Sequence, residues 1–217
     1  MKLIIACIVP LLFTLGTALA ADRVPLFDGK SFTGWEGNTG MVWRIEEGAF
    51  TAGTLDKKQE KNDFLATKKE FGDFDLSLKW KLEGTEGFVN GGVQFRSKRI
   101  PNHHEVSGFQ ADLGAGLDGA LYDESRRNKV LARPSMEVLE KARKPLGEWN
   151  DYRIRAQGQR IQIWLNGLET VDYTETDESI AQKGIVAIQI HGNATSIVRY
   201  KDIAIEELIQ TSPSSPR

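Results

Sequence analysis

The fold is decided by two segments, Asn90-Gly91-Gly92-Val93-Gln94-Phe95-Arg96 and Gly108-Phe109-Gln110-Ala111-Asp112. Each alternates apolar and polar side chains, which is the pattern of a β-strand with one buried face. The apolar side chains predicted to enter the core are those of Val93, Phe95, Phe109 and Ala111. The polar side chains predicted for the opposite face are those of Gln94, Arg96, Gln110 and Asp112. Such groups are suited to holding a sugar, although the same pattern also describes ordinary solvated positions on a half-exposed strand.

The rest of the chain adds further short strands. Residues 74–82 alternate strictly between apolar and polar side chains, which favours an antiparallel strand that covers the core with one face. Residues 184–192 are almost all apolar, which favours a central strand. Residues 84–92 are expected to be turns, 97–107 a polar loop, and 114–144 a long connection with a short helix within 135–144. About a dozen short strands with almost no helix predict an all-β fold, an antiparallel β-sandwich of the jelly-roll type.

Bulk properties exclude several classes of function. The 217-residue chain has 28 Lys and Arg against 30 Asp and Glu, which gives a formal net charge of −2. We therefore expect no nucleic-acid partner, because the chain has no basic footprint for a polyanion. The single cysteine, Cys7, precedes the folded part, so thiol catalysis and Cys-ligated zinc or iron are excluded from the mature chain.

The two ends of the chain differ from the middle. Residues 1–20 carry one positive charge, an apolar run and an Ala-Leu-Ala end, which is the pattern of a secretory signal cleaved before Ala21. We expect an exported protein, periplasmic or secreted, with no membrane attachment after signal cleavage. Residues 21–209 are expected to form a single jelly-roll domain, and the Pro- and Ser-rich residues 210–217 a disordered tail. The sequence does not indicate the oligomeric state.

Six motifs follow one another in an order typical of one known family. They are Leu26-Phe27-Asp28-Gly29-Lys30-Ser31-Phe32-Thr33-Gly34-Trp35, Phe71-Gly72-Asp73-Phe74, Gly91-Gly92-Val93-Gln94-Phe95-Arg96, Gly147-Glu148-Trp149-Asn150, Trp164-Leu165-Asn166-Gly167, and Gly184-Ile185 through His191-Gly192. Together they resemble the 3-keto-disaccharide hydrolase family over residues 24–208. The resemblance implies a concanavalin A-like jelly roll and action on glycosides whose sugar ring is oxidised at C3. The chain departs from the commoner pattern in carrying Gln110 and Asp112 where many members carry Glu and Gln.

The implied chemistry sets requirements for a site. A 3-keto group acidifies the hydrogen on C2, so a base can remove it and the C1 substituent can leave before water adds back. Such a site needs a base near C2, a donor or metal for the enolate on the C3 oxygen, and an acid for the leaving oxygen. A classical glycosidase instead needs two carboxylates flanking C1, and the Glu-x-Asp-x-x-Glu run of jelly-roll glucanases is absent from this sequence.

Candidate residues follow from these requirements. Asp112 or Glu124 is the expected base, and His191 is a proton carrier or metal ligand. The residues expected to bind substrate are Asn90, Gln94, Arg96, Gln110, Tyr122, Arg126 and Gln189. The sequence identifies no particular cofactor, and a divalent metal ion on Asp112, Glu124 or His191 stays an open alternative. His191 is equally compatible with a structural histidine, and Arg126 with a solvated loop charge.

Two classes of function remain open at this point. The first is an exported enzyme that cleaves 3-keto-glycosides, with a small carbohydrate or glycoside as its substrate. The second is a non-catalytic carbohydrate-binding module, because this fold serves lectins as readily as enzymes. A structural or adhesion domain is a weaker third reading, in which the polar strand face has no function.

Overall fold

The computed structural model describes residues 23–208, which contain fifteen β-strands and one α-helix. The predicted signal (1–20) and the predicted tail (210–217) lie outside these residues. Among the described residues, no helix has the length and apolar character needed to cross a membrane.

The strands carry the bounds β1 (Val24–Pro25), β2 (Trp35–Glu36), β3 (Trp43–Glu46), β4 (Ala49–Gly53), β5 (Asp63–Phe71), β6 (Phe74–Gly87), β7 (Asn90–Arg99), β8 (Val106–Gly114), β9 (Leu121–Glu124), β10 (Lys129–Ala132), β11 (Asn150–Gln157), β12 (Arg160–Leu165), β13 (Leu168–Thr174), β14 (Gly184–Ile190) and β15 (Ala194–Glu207). The helix α1 spans Met136–Ala142, and the Ser135 side chain caps it by accepting a hydrogen bond from the backbone N–H of Val138.

These strands form two sheets, in which every pair of named strands is antiparallel. The support sheet has the order β13-β12-β11-β6-β15-β4-β3, with β1 also paired to β15. The site sheet has the order β10-β9-β8-β7-β14-β5-β2. The predicted all-β antiparallel sandwich is therefore confirmed.

The core lies between the two sheets and follows the predicted alternation. The buried apolar side chains of β6 are those of Phe74, Leu76, Leu78, Trp80 and Leu82, and those of β7 and β8 include Val93, Phe95, Phe109 and Ala111. Burying these surfaces against each other removes them from water, which is the main term that stabilises such a sandwich. The polar partners of the same strands consequently point away from the core.

Three expectations about connections were wrong. Residues 84–87 are not turns, because they extend β6 and pair with the start of β15. The loop expected at 97–107 is shorter, since β7 continues to Arg99 and β8 begins at Val106. The connection expected at 114–144 contains β9 and β10, which add two strands to the site sheet. Pairing with neighbouring strands satisfies the backbone hydrogen bonds of β9 and β10. The glycine-rich sequence around these two strands is not typical of a strand, so the pattern did not indicate them.

Two tyrosines of the support sheet cross the core and hold the backbone of the site sheet. The Tyr200 hydroxyl donates to the carbonyl oxygen of Gln189 at 2.7 Å. The Tyr152 hydroxyl donates to the carbonyl oxygen of Asp112 and accepts from the N–H of Gly119 at 2.6 Å. Both rings are fully buried, so each hydroxyl exchanges water for a defined backbone partner.

Gly91 and Gly92 of β7 each make room for a side chain from another strand. A Cβ atom on Gly91 would lie 3.1 Å from the Tyr200 hydroxyl and 2.9 Å from the carbonyl oxygen of Gln189. A Cβ atom on Gly92, on the opposite face, would lie 2.3 Å from Cδ of Gln110. The Gly-Gly pair therefore lets Tyr200 reach the strand from one side and lets the Gln110 side chain lie across it on the other.

We predict that Gly92→Ala lowers the free energy of unfolding by about 1–3 kcal/mol, because the added methyl group overpacks the buried Gln110 side chain. The matched control is Gly72→Ala, where the nearest atom to the new Cβ is 3.9 Å away. Urea unfolding at neutral pH measures both variants. Equal effects of the two substitutions would contradict the proposed role of Gly92.

Candidate functional site

A pocket of about 190 Å³ opens on the outer face of the site sheet. Its lining side chains are those of Asn62, Phe88, Asn90, Gln110, Asp112, Leu117, Tyr122, Glu124 and His191. The predicted site residues that the structure brings together here are Asn90, Gln110, Asp112, Tyr122, Glu124 and His191. This volume is below the roughly 300–1,000 Å³ of sites for drug-sized ligands, so the pocket suits a group of about one sugar ring.

Strand register explains why the central residues meet. Gln110 on β8 lies opposite Tyr122 on β9 and opposite Gln94 on β7, so the three side chains share the outer face. Asp112, two residues further along β8, lies on the same face opposite Gly92. Because the glycine has no side chain, the Gln110 side chain can lie across it and reach the Asp112 carboxyl.

The same register orders the residues along the pocket. The N–H of His191 donates to the carbonyl oxygen of Asn90, which places both residues at one end of the face. Glu124 lies opposite Gly108 at the other end. The carboxyl of Asp112 therefore lies between His191 and Glu124 along the strand direction.

The Asp112 side chain is only 3% exposed, and few neighbouring groups stabilise the negative charge of its carboxylate. Its Oδ1 accepts a hydrogen bond of 2.8 Å from the Gln110 amide. Burial raises the pKa of Asp112 from 3.8 to about 7, the hydrogen bond from Gln110 opposes this rise, and the Glu124 charge adds to it. The group can thus exist in both protonation states near neutral pH.

Glu124 is the second carboxyl group of the pocket. Burial raises the pKa of Glu124 from 4.5 to about 7, and the charge of Glu105 adds to the rise, while hydrogen bonds from Ser125 oppose it. Because the two carboxyl groups have similar raised pKa values, a state with one group ionised and the other protonated is populated near pH 7. The pocket consequently offers a base and an acid together.

His191 has a defined tautomer. Its Nδ1 lies 2.7 Å from the carbonyl oxygen of Gly192, and because a carbonyl only accepts, Nδ1 carries a proton. The Phe88 ring packs edge-on against the imidazole, with 4.9 Å between ring centroids. These two contacts fix the ring and leave Nε2 available for a ligand.

Two predicted binding residues lie beneath the pocket instead of lining it. Gln94 is fully buried and donates to the amide oxygen of Gln110, whose own nitrogen donates to Asp112. Gln94 therefore positions Gln110 and does not contact a ligand. The Gln189 amide is also fully buried and lies near enough to Glu124 to lower its pKa slightly. Neither its nitrogen nor its oxygen has a hydrogen-bond partner among residues 23–208.

The placement of Arg96 corrects the prediction that it contacts substrate. The register of β7 against β8 shifts between Phe95 and Lys98, and Arg96 adopts a positive φ of 47° at this bulge. The bulge turns the side chain away from the polar face. Its guanidinium donates to the carbonyl oxygens of Gly72 and Gly158, at 3.0 and 2.6 Å, and to the carboxylate of Asp73 at 2.8 Å. Arg96 thus links the β5–β6 connection, which runs from one sheet to the other, to the β11–β12 connection of the support sheet.

Arg126 also lies away from the pocket. Its guanidinium carbon is 4.5 Å from the ring centroid of Phe109, a core residue, and its Nη2 lies 2.7 Å from a carboxylate oxygen of Asp123. Asp123 is fully buried on the face opposite to Glu124, which explains why the arginine turns to that side. The prediction that Arg126 contacts the substrate is therefore wrong, because the side chain does not line the pocket.

The structure also adds pocket residues that the sequence pattern did not indicate. Asn62 is held by two hydrogen bonds: its Oδ1 accepts from the N–H of Gly192 at 2.8 Å, and its Nδ2 donates to Glu105 at 3.0 Å. Phe88 lies in the short turn between β6 and β7. Leu117 lies in the turn after β8, and no signal in the sequence marks it as part of a site.

The metal alternative does not match the donor geometry. Among residues 23–208, no group of three or more His, Cys, Asp or Glu side chains is close enough together to hold a metal ion. Asp112, Glu124 and His191 line one pocket without forming such a set. Asp112, Glu124 and His191 therefore do not form a three-ligand metal site.

Comparison with known proteins identifies one family and one curated relative for this chain. The family model described as a 3-keto-alpha-glucoside-1,2-lyase-like domain matches residues 22–206. A curated 3-keto-disaccharide hydrolase from Bacteroides thetaiotaomicron is 23% identical over 172 residues, which cover 71% of this chain and 59% of that protein. The chain thus spans about three fifths of the length of this relative.

Two solved structures share the fold. A protein of Parabacteroides distasonis, provisionally assigned as a glycosyl hydrolase, has a TM-score of 0.63 at 21% identity, covering 86% of this chain and 94% of that one. The carbohydrate-binding module CBM66 from Bacillus subtilis has a TM-score of 0.62 at 15% identity, covering 80% of this chain and 95% of that one. At these identities the likeness is one of fold, and it confirms the lectin-type sandwich.

We predict that Asp112→Asn stabilises the protein at high pH. Because the pKa of Asp112 is about 7 in the folded state and 3.8 ordinarily, the stability contributed by the protonated carboxyl is complete below pH 4 and is lost as pH rises through 7. At pH 8 the variant should exceed the parent by about 2–4 kcal/mol in free energy of unfolding. Near pH 3.5 the difference should vanish.

Urea unfolding from pH 3.5 to 8 measures this difference. The control is Asp172→Asn, at an exposed carboxylate whose pKa is lowered by the hydrogen bond from Arg160. That variant should gain no stability with rising pH. A parallel pH dependence of the parent and Asp112→Asn would show that Asp112 is not buried with a raised pKa.

Proposed function

The chain belongs to the 3-keto-alpha-glucoside-1,2-lyase-like domain family, and we propose that it cleaves glycosides whose sugar ring carries a ketone at C3. The reaction removes the C2 proton, expels the C1 substituent, and then adds water to the resulting double bond. The observation that supports it most is the pair of carboxyl groups, Asp112 and Glu124, each with a pKa raised to about 7 in one pocket.

Asp112 is the base that takes the C2 proton. It lies in the middle of the pocket, and its raised pKa makes its ionised form a stronger base than an ordinary aspartate. A general base is most effective when its pKa lies near the working pH. The Gln94–Gln110 chain holds the carboxyl in place through the hydrogen bond to Oδ1.

Glu124 and Tyr122 stabilise the charge that develops on the C3 oxygen. In the singly protonated pair Glu124 carries the proton and donates a hydrogen bond to the enolate, as the Tyr122 hydroxyl also does. Burial raises the pKa of Tyr122, so its hydroxyl stays protonated. Donors that are already oriented toward a developing oxyanion stabilise it more than water does.

His191 protonates the leaving oxygen at C1. Its Nε2–H, in the imidazolium form, transfers a proton to the glycosidic oxygen as the C1–O bond breaks. Once the aglycone has left, the proton on Asp112 exchanges with solvent. When water then adds to C1, Asp112 delivers this solvent-derived proton to C2, and the proton of the attacking water passes to His191. Proton count and charge are thereby restored at the end of the cycle.

A carbohydrate-binding module is the second candidate, and the fold similarity to CBM66 favours it. Such a module would use the same amides and carboxyl groups to bind a sugar without turning it over. We further propose that the protein acts outside the cytoplasm, on the basis of the signal pattern in residues 1–20. The whole protein's substrate is proposed to be a small carbohydrate or glycoside.

We predict that Asp112→Asn lowers kcat by about 100–10,000-fold on both anomers of 4-nitrophenyl 3-keto-D-glucoside, since the amide cannot accept the C2 proton. Released 4-nitrophenol is measured against an enzyme-free blank, with and without a chelator. Asp172→Asn is the control and should retain parental turnover. Binding of the substrate by the parent without any release of 4-nitrophenol would favour the binding module and contradict the enzyme.

We also predict a bell-shaped pH profile of kcat/KM. The low-pH limb reports ionisation of Asp112, and the high-pH limb reports loss of the proton on Glu124. Glu124→Gln should move the high-pH limb to higher pH, because the glutamine amide cannot lose the proton that Glu124 loses near pH 7. The control Glu140→Gln, on the exposed face of α1, should leave this limb in place. An unmoved high-pH limb in Glu124→Gln would exclude Glu124 as the group whose proton is needed.

A further inference from the structure

A larger groove adjoins the site pocket. It has a volume of about 420 Å³, and Phe88 lines both the groove and the pocket. The turn after β8 also connects them, because Leu117 lines the pocket while Gly116 and Asp118 line the groove. The groove begins at the end of the pocket occupied by His191, since the Phe88 ring rests on that imidazole.

The groove is chemically different from the pocket. Its side chains are mainly apolar, including Phe88, Val89, Pro145 and Leu146, and no Asn, Gln, Ser or Thr side chain lines it. Phe88 and Leu146 are 43% and 58% exposed, which is unusual for two large apolar side chains that line one depression. A second sugar ring needs amide and hydroxyl partners that the groove does not supply. An apolar ring fits the lining better.

The charges of the groove are predominantly positive. Arg143 is exposed, and its guanidinium makes no salt bridge or hydrogen bond with any residue in 23–208. Lys144 donates from Nζ to the carbonyl oxygen of Trp149 at 2.9 Å, which leaves its charge uncompensated. Asp118 is the acidic residue of the lining, but it is buried and its Oδ1 accepts from the N–H of Gly114 at 2.8 Å.

One buried donor also lacks a partner at this groove. Trp80 lines the groove although it is only 2% exposed, and its indole Nε1 has no acceptor among the described residues. A buried N–H without an acceptor costs about 1–3 kcal/mol. Because this N–H has no accessible surface, its cost is carried by the core beneath the groove, and it makes no contact with a ligand.

We propose that this groove is the leaving-group subsite, and that it takes an aromatic aglycone bearing a carboxylate. This inference rests on the proposed function, in which C1 and its substituent face His191. The aromatic ring packs against Phe88 and Leu146, and the carboxylate pairs with Arg143 and Lys144. The sugar ring itself occupies the pocket of amides and carboxyl groups, so the substrate class is the 3-keto-glycosides of aromatic acids.

The first test measures binding of 4-hydroxybenzoate, a leaving-group analogue, by isothermal titration calorimetry, with phenol as the uncharged reference. Leu146→Ala should weaken 4-hydroxybenzoate binding by about 3–10-fold through lost apolar contact. Arg143→Gln should weaken it by about 2–5-fold, as expected for an exposed ion pair, and should leave phenol binding unchanged. Leu168→Ala removes an exposed leucine of β13 and serves as the control.

The outcomes separate the two proposals. If the parent does not bind 4-hydroxybenzoate, or if Leu168→Ala weakens binding as much as Leu146→Ala, the subsite assignment is overturned. A parallel assay follows turnover of methyl 3-keto-glucoside, whose leaving group is too small to reach the groove. Turnover of that compound together with failed 4-hydroxybenzoate binding overturns the subsite alone. Binding that depends on Leu146 and Arg143, without turnover of any 3-keto-glucoside, overturns the proposed reaction and retains an aryl-carboxylate site.

Discussion

The proposed chemistry depends on the burial of one carboxyl group, that of Asp112, on the outer face of a β-sheet. An aspartate on such a face would ordinarily be solvated, but here it is 3% exposed and receives a hydrogen bond from Gln110. Burial then raises the pKa of this carboxyl to about 7. The free energy spent on holding the group there has to come from the rest of the fold. That arrangement is typical of functional sites, where stability is lost in exchange for reactivity.

The two sheets contribute to this arrangement in different ways. The support sheet buries an apolar face and sends the hydroxyls of Tyr152 and Tyr200 across the core to backbone carbonyls beneath the pocket. The site sheet contributes the polar side chains and, at Gly92, the missing side chain that makes room for Gln110. Because the pocket lies on paired strands and is fixed from below, its geometry is more rigid than that of a site built on loops.

Strand periodicity was sufficient to predict much of the site, and local backbone geometry accounts for what it missed. Alternation placed Gln110 and Asp112 on one face correctly, since period 2 holds wherever a strand is regular. It failed at Arg96, where a β-bulge with a positive φ reverses the direction of the side chain. An arginine in the sequence does not indicate such a bulge, because arginine has no preference for positive φ. Glu124 was predicted as a candidate although its strand was not, and the aromatic wall formed by Phe88 depends on a turn whose direction only the folded chain defines.

The fate of the C2 hydrogen tests the central claim most directly. In D₂O, elimination followed by hydration places a solvent deuteron on C2, whereas direct hydrolysis at C1 leaves the original hydrogen in place. Proton NMR of the 3-keto-sugar released from methyl 3-keto-glucoside, read at early times against the same sugar in enzyme-free buffer, should show deuterium at C2. A released sugar that retains its C2 hydrogen at the level of the enzyme-free control would contradict proton abstraction by Asp112.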